Sequence, residues 1–232
     1  VYRMKYYIIA GEASGDLHAS NLMREIKKLD TSCSFRFWGG DLMQEQGGEI
    51  VKHYSQLAFM GFTEVIINLL TIFKNIEFCK KDILNYKPDV LILVDYPGFN
   101  LRIAEFAKKS GLKVYYYISP QVWAWKQSRV QHIKKYADRM FVILPFEKEF
   151  YSRFEMYVDY VGHPLLDAIG QHNKEEIVTD GRPVVALLPG SRKQEISTML
   201  PLMIETAAHF PNYNFVIAGA PAMPPAFYET YT

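Results

Sequence analysis

Short runs rich in β-branched and aromatic residues alternate, through most of this chain, with longer runs of helical periodicity. The strand-like runs fall near residues 6–10, 34–38, 90–94, 113–118, 140–144 and 157–161. Strands separated by helix-length segments do not pair as hairpins; they enter one sheet in parallel through right-handed crossovers. The expectation is an α/β fold built on a doubly wound, Rossmann-like parallel sheet. Val90-Leu91-Ile92-Leu93-Val94 is apolar on both faces, as a central strand covered by helices on each side must be. In such a sheet ligands gather outside the carboxyl ends of the strands, which brings the loops 11–15, 95–100 and 119–125 to one crevice.

After Gly162-His163-Pro164 the pattern weakens into a polar stretch that ends in Asp180-Gly181-Arg182-Pro183. The domain reading is therefore a Rossmann-like domain over 1–169, a linker over 170–183, and the first part of a second, truncated Rossmann-like domain over 184–232. That second part starts with the apolar strand Val184-Val185-Ala186-Leu187-Leu188 and continues with a helix near 195–209 and a strand near 214–218.

With 49% hydrophobic and 22% charged residues in 232, the chain can bury a substantial core. A net charge of +1 gives no field favouring nucleic acid, so any basic site must be local. Cys33 and Cys79 are the only cysteines, and a reducing, cytosolic setting follows by default. Neither cysteine has metal-ligand spacing, and His18, His53, His132, His163, His172 and His209 do not assemble into a site by spacing. No metal or other cofactor is expected. The opening Val1-Tyr2-Arg3-Met4-Lys5 lacks the apolar core of a signal peptide, and Met4 reads as a native start.

Four segments are candidates for chemistry. Gly11-Glu12-Ala13-Ser14-Gly15-Asp16 fails the dinucleotide pattern, the P-loop pattern and the nucleophile elbow. It reads either as a glycine-hinged turn whose Glu12 binds hydroxyls or an anion, or as a tight turn with Ser14 or Asp16 as N-cap. Asp95, at a strand end in Asp95-Tyr96-Pro97-Gly98-Phe99-Asn100, is placed either to take a proton from a sugar hydroxyl or to anchor its loop. Asn100 orients the same substrate or caps a helix over 101–109. Ser119-Pro120-Gln121-Val122-Trp123-Ala124-Trp125-Lys126-Gln127-Ser128-Arg129 places two indoles in a loop beside Lys126 and Arg129. Those indoles either stack on sugar rings or pack the top of the sheet, and the cations suit a phosphate. Gly190-Ser191-Arg192 turns a strand into a helix and offers free backbone N–H groups, a hydroxyl and a guanidinium to a phosphate or diphosphate.

A further stretch, 57–73, holds twelve apolar residues in seventeen and is too short to span a bilayer. Its apolar positions from Phe62 to Phe73 cover more than half a helix circumference at roughly 100° per residue. The surplus face either meets acyl chains or a membrane surface, aided by Lys74, Lys80 and Lys81, or is buried on two sides.

The glycine-hinged first loop, Phe59-Met60-Gly61-Phe62-Thr63-Glu64-Val65, Lys87-Pro88-Asp89 before the Asp95–Asn100 loop, Val122-Trp123-Ala124-Trp125, Leu144-Pro145-Phe146-Glu147, Gly162-His163-Pro164 and Leu188-Pro189-Gly190-Ser191-Arg192 occur in one order along nearly the whole chain. In that register the chain resembles the lipid-A-disaccharide synthase family. The resemblance implies a GT-B glycosyltransferase with its active site in the cleft between two Rossmann-like domains. The implied reaction joins UDP-2,3-diacylglucosamine to 2,3-diacylglucosamine 1-phosphate through a β-1,6 linkage and releases UDP, in lipopolysaccharide biosynthesis. It implies Asp95 as base and Arg192, with Gly190 and Ser191, on the diphosphate. Gly11, Glu12, Ser14, Gly15, Asn100, Ser119, Gln121, Trp123, Trp125 and Arg129 would line the acceptor side. Phe59, Met60, Phe62, Ile66, Leu69, Leu70 and Phe73 would face acyl chains or the inner membrane, with the enzyme cytoplasmic and peripheral. The resemblance is compatible with a homodimer of the full-length protein and involves no nucleic acid. The family's second domain runs past Thr232, so these residues alone are expected to bind donor weakly and turn over poorly or not at all. Another GT-B transferase, a UDP-sugar epimerase of the same architecture, or a non-catalytic lipid- or nucleotide-binding module are the competing readings.

Overall fold

A computed structural model describes residues 3–57, 69–171, 179–221 and 223–231. The chain forms two compact units, Val1–Gln171 and His172–Thr232. The division falls within the stretch read from sequence as a linker.

The first unit contains strands β1 (Lys5–Ala10), β2 (Ser34–Gly39), β3 (Glu49–His53), β4 (Val90–Val94), β5 (Lys113–Tyr117), β6 (Arg139–Val142) and β7 (Asp159–Tyr160). They form one parallel sheet in the order β3-β2-β1-β4-β5-β6-β7. Strand order reverses between β1 and β4, the point where a doubly wound sheet opens a crevice at its carboxyl edge. The helices described are α1 (Ala13–Leu29), α2 (Asp41–Glu45), α3 (Leu69–Tyr86), α4 (Pro97–Lys109), α5 (Val122–Trp125), α6 (Arg129–Tyr136), α7 (Glu147–Ser152) and α8 (Leu165–Gln171).

Successive side chains of the central strands serve opposite faces, as strand geometry requires. Tyr7, Ile9, Leu91 and Leu93 join Ile76 and Ile83 of α3 and Ile103 and Ala107 of α4 in one core. Ile8, Ala10, Ile92 and Val94 join Ala19 and Met23 of α1 in the other. All five residues of β4 are buried, so this strand is covered on both sides. A polar pin crosses the first core: Tyr7 donates its hydroxyl proton to Asp82 of α3 at 2.7 Å, and the Trp38 indole N–H donates to Tyr7 at 2.9 Å. The Arg36 guanidinium completes it by bonding both Asp82 oxygens, at 2.9 and 2.6 Å.

Several boundaries differ from the sequence expectation. β3 and α2 were not foreseen, because Glu-Ile-Val-Lys-His is a half-covered edge strand and α2 is only five residues long. The Trp123–Trp125 segment is a helical turn rather than a loop. α4 starts at Pro97 with Tyr96 as its N-cap residue, so Asn100 lies inside the helix and does not cap it. Proline at the first helical position loses no internal hydrogen bond, which allows this earlier start. α1 has Glu12 as its N-cap residue, with no side-chain capping bond. Asp16 instead caps a different element: buried to 2% exposure, it accepts N–H bonds from Gly40, Leu42 and Met43 at the start of α2.

In the second unit β8 (Val184–Leu187) pairs in parallel with β9 (Asn214–Ile217), with α9 (Lys193–Ala207) and α10 (Pro225–Glu229) completing it. Ile196 and Leu200 of α9 and Tyr228 of α10 are its buried core.

Candidate functional site

The crevice at the β1/β4 switch point is built from backbone outward. Gly11 follows β1 and is buried. A Cβ there would overlap the Tyr96 ring, so Tyr96 lies directly on the Gly11 backbone. Gly15 is also tight: a Cβ would sit 3.2 Å from that of Ala10, which sets how closely α1 approaches β1.

Asp95 and Tyr96 both adopt left-handed backbone, with φ of 42° and 48°. Each such residue without glycine's freedom costs on the order of 1 kcal/mol or more and persists only where its surroundings over-determine it. Here they do. The Asn100 amide, fully buried, donates to the carbonyls of Asp95 at 2.8 Å, Val94 at 3.2 Å and Ile9 at 3.4 Å. Tyr116 donates its hydroxyl proton to the Asp95 carbonyl at 2.6 Å, and the Asp95 N–H bonds the Tyr117 carbonyl. One asparagine thus clamps the ends of both switch-point strands, and the turn it clamps aims Asp95.

That carboxyl is half-buried. Burial, with the nearby negative charge of Glu12 added and a hydrogen bond from the Tyr96 N–H opposing, raises its pKa to about 6. A carboxylate so tuned exchanges protons near neutrality, which suits a general base. Glu12 and Ser14 are exposed at the start of α1.

The third loop separates the residues grouped from sequence. Ile118, a buried β-branched residue, has φ of 65° and turns the chain after β5. Ser119 is turned inward, its hydroxyl 2.5 Å from the Tyr151 hydroxyl. Gln121 is exposed. Trp123 packs edge-on against Phe146 with ring centres 5.0 Å apart. Trp125 is 65% exposed, with the Lys126 ammonium 5.1 Å and the Arg129 guanidinium 5.3 Å from its ring centre. One indole is wall and the other an open aromatic surface under positive charge. The Phe146 loop is fixed by Glu147, a buried acid that accepts the N–H groups of Ile143 and Leu144 and whose pKa burial raises. Glu147, Tyr96 and Tyr116 were not among the sequence candidates. The first two lie inside quoted motifs, whereas Tyr116 carries no local signal.

In the second unit Gly190 has φ of 114°. The N–H groups of Ser191 and Arg192, expected to be free, both bond Glu195 Oε2 at 3.2 Å, while Arg192 Nη1 meets Oε1 at 3.3 Å. A carboxylate of the chain itself therefore occupies the anion-binding geometry of the turn.

Of the apolar-face candidates, Phe59, Met60, Phe62 and Ile66 lie outside the described residues, as does the Leu69 side chain. Leu70 and Phe73 are 76% and 55% exposed. Among the described residues no helix is long and apolar enough to cross a membrane, and no cluster of three metal-ligating side chains occurs.

A parallel sheet with a polar crevice at its switch point, followed by a second βαβ unit opening on a Gly-Ser-Arg turn, defines an α/β protein of the GT-B type. Solved structures agree in fold: a putative UDP-N-acetylglucosamine 2-epimerase from Listeria monocytogenes aligns over 99% of this chain and 65% of its own, with a TM-score of 0.67 at 10% identity. The calicheamicin glycosyltransferase CalG4 aligns over 98% of this chain and 67% of its own, with a TM-score of 0.56 at 14% identity. The lipid-A-disaccharide synthetase family model matches residues 6–220, and the chain belongs to that family. It is 42% identical over 226 residues to the lipid-A-disaccharide synthase of Geobacter metallireducens, and 38% over 220 to that of Coxiella burnetii. These alignments take in 93% and 90% of the chain, which spans 59% and 58% of the lengths of those relatives.

Proposed function

We propose that this chain carries the acceptor side and the first donor-side elements of an inverting glycosyltransferase that makes lipid A disaccharide 1-phosphate. The acceptor is 2,3-diacylglucosamine 1-phosphate and the donor UDP-2,3-diacylglucosamine. Asp95 takes the proton of the acceptor 6-hydroxyl as that oxygen attacks the donor's anomeric carbon; the bond to UDP breaks on the opposite face, giving the β-1,6 linkage. The diphosphate leaves with its charge met by Arg192 and the Ser191 and Arg192 N–H groups, once Glu195 has turned aside. Trp125, with Lys126 and Arg129, offers a sugar ring an aromatic face and a phosphate two cations. Exposed Leu70 and Phe73 supply part of a surface for acyl chains at the inner leaflet, where both substrates reside.

The observation that carries this reading is the half-buried Asp95, held by the Asn100 clamp in a strained turn at the switch point, with its pKa raised to about 6. Its test uses the full-length protein with diacylated and non-acylated UDP-glucosamine, product being followed by thin-layer chromatography. Asp95→Asn is expected to lower turnover about a hundredfold or more. Retained activity would remove Asp95 as base, and equal use of both donors would reject the lipid substrate in favour of a soluble UDP-sugar reaction.

A further inference from the structure

Tyr116 of β5 is wholly buried, and its hydroxyl is the one part of it that packing does not explain. The ring lies in the core with Leu91, Leu93, Phe99 and Val142. The ladder holds it in register with Leu93 of β4. A phenylalanine would fill that space without carrying a polar atom into an apolar interior, where such an atom is costly unless it is bonded. The hydroxyl has a single proton to give, and it goes to the Asp95 carbonyl at 2.6 Å.

That carbonyl belongs to the peptide between Asp95 and Tyr96, the two residues held in left-handed backbone. The peptide on the other side of Asp95 is held from β5 as well, since the Asp95 N–H bonds the Tyr117 carbonyl at 3.2 Å. Peptide units are planar, so the two planes flanking a Cα fix where its side chain leaves the backbone. Two successive residues of β5 thus set the departure of the Asp95 side chain, Tyr117 through its main chain and Tyr116 through its hydroxyl. Asn100 shares the work differently. Its amide is divided among the carbonyls of Ile9, Val94 and Asp95, so it ties together the ends of β1 and β4. The Tyr116 proton serves the Asp95 residue.

We infer that Tyr116 is a positioning residue for Asp95, its hydroxyl locking the peptide that follows Asp95 and so fixing the direction of the carboxyl. The inference rests on the transferase reading for the role of Asp95 as base, but not for the hold itself. Without the hydroxyl the strained turn loses a restraint and relaxes, and the carboxyl gains water. Glu12 and the Tyr96 N–H, which also act on that carboxyl, stay in place, so a change in its titration reports altered burial.

This chain, labelled with 13C at its aspartate carboxyls, is titrated from about pH 4 to about pH 8, and Asp95→Asn assigns the Asp95 signal. In Tyr116→Phe the Asp95 midpoint is expected to fall by about one unit from its place near 6, toward the ordinary carboxylate range. Tyr151→Phe is the control: it removes a buried hydroxyl that meets Ser119 at 2.5 Å, and it should leave the Asp95 midpoint where it is. In the full-length enzyme Tyr116→Phe should lower kcat about tenfold or more with the acceptor KM unchanged, and the acid limb of its pH profile should move down with the midpoint. Far-UV circular dichroism checks folding; should Tyr116→Phe not fold, Tyr116→Met, which fills the space flexibly without a hydroxyl, takes its place. An unmoved Asp95 midpoint, an equal movement in Tyr151→Phe, or an unchanged kcat where Asp95→Asn is inactive overturns the inference. An active Asp95→Asn enzyme would instead refute the proposed base, and a shifted midpoint in Tyr116→Phe would still show that Tyr116 sets this carboxyl.

Discussion

Asp95→Asn should stabilise the first unit, and by an amount that depends on pH. The folded carboxyl has a pKa of about 6 against an ordinary value of 3.8, so the fold disfavours its ionised form. Below pH 3.8 the group is protonated in both states and contributes nothing. Between 3.8 and 6 the unfolded chain ionises first, and stability falls; above about 6 the full cost applies. The displacement corresponds to about 3 kcal/mol, which residual contact with water reduces to about 2 kcal/mol. An asparagine keeps the shape and still accepts the Tyr96 N–H while removing the charge. At pH 8 the variant should gain about 2 kcal/mol, a melting shift of roughly 4–8 °C for a unit of this size; at pH 3.5 it should gain nothing. Urea unfolding followed by tryptophan fluorescence isolates the first unit, because Trp38, Trp123 and Trp125 all lie within it. Equal stability of the two proteins at pH 8 would refute the reasoning, as would a gain of the same size at both pH values.

Other perturbations separate the roles of neighbouring residues. Gly11→Ala drives a methyl group into the Tyr96 ring and should cost about 1–3 kcal/mol by overpacking, read as a lower urea midpoint. Asp82→Ala removes the acceptor of the Tyr7 hydroxyl and leaves Glu49 as the remaining carboxylate on the Arg36 guanidinium, and a loss of about 1–3 kcal/mol in the same unfolding experiment is expected. Trp123→Ala should destabilise by about 2 kcal/mol or more, whereas Trp125→Ala should change stability by less than about 0.5 kcal/mol yet raise the acceptor KM in the full-length enzyme. The turnover of that enzyme should fall as pH drops through about 6, and Glu12→Gln should move this limb to lower pH, leaving burial but removing the charge that adds to it in raising the Asp95 pKa.

The central architecture was legible because its physics is local. β1 and β4 are apolar on both faces, and helix-length segments between strands leave parallel pairing as the only route. The half-covered edge strand β3 has no such pattern and escaped, while the strand expected near 157–161 is present but only two residues long, Asp159–Tyr160. Within the site, Asp95 was legible from its place at a strand end. The Asn100 clamp was not, because the three carbonyls it binds belong to the ends of two strands some ninety residues apart in sequence. Asp16 likewise read as a cap for its own helix, whereas it caps α2, a choice made by tertiary proximity. The two tryptophans show the same limit: sequence put them side by side, and one helical turn sent one indole into the wall and the other outward.

The Glu195 carboxylate gives the Gly-Ser-Arg turn a resident counter-ion. An incoming diphosphate then exchanges with it rather than adding to vacant amides, and the affinity measured for any anion is a difference between two occupants of one seat. A monoanion scarcely better than a carboxylate gains little from the exchange, while a diphosphate brings charge and oxygens enough to prevail. Glu195 would act as a threshold, setting the least charge that the turn accepts and handing the amides back to α9 as soon as the anion departs.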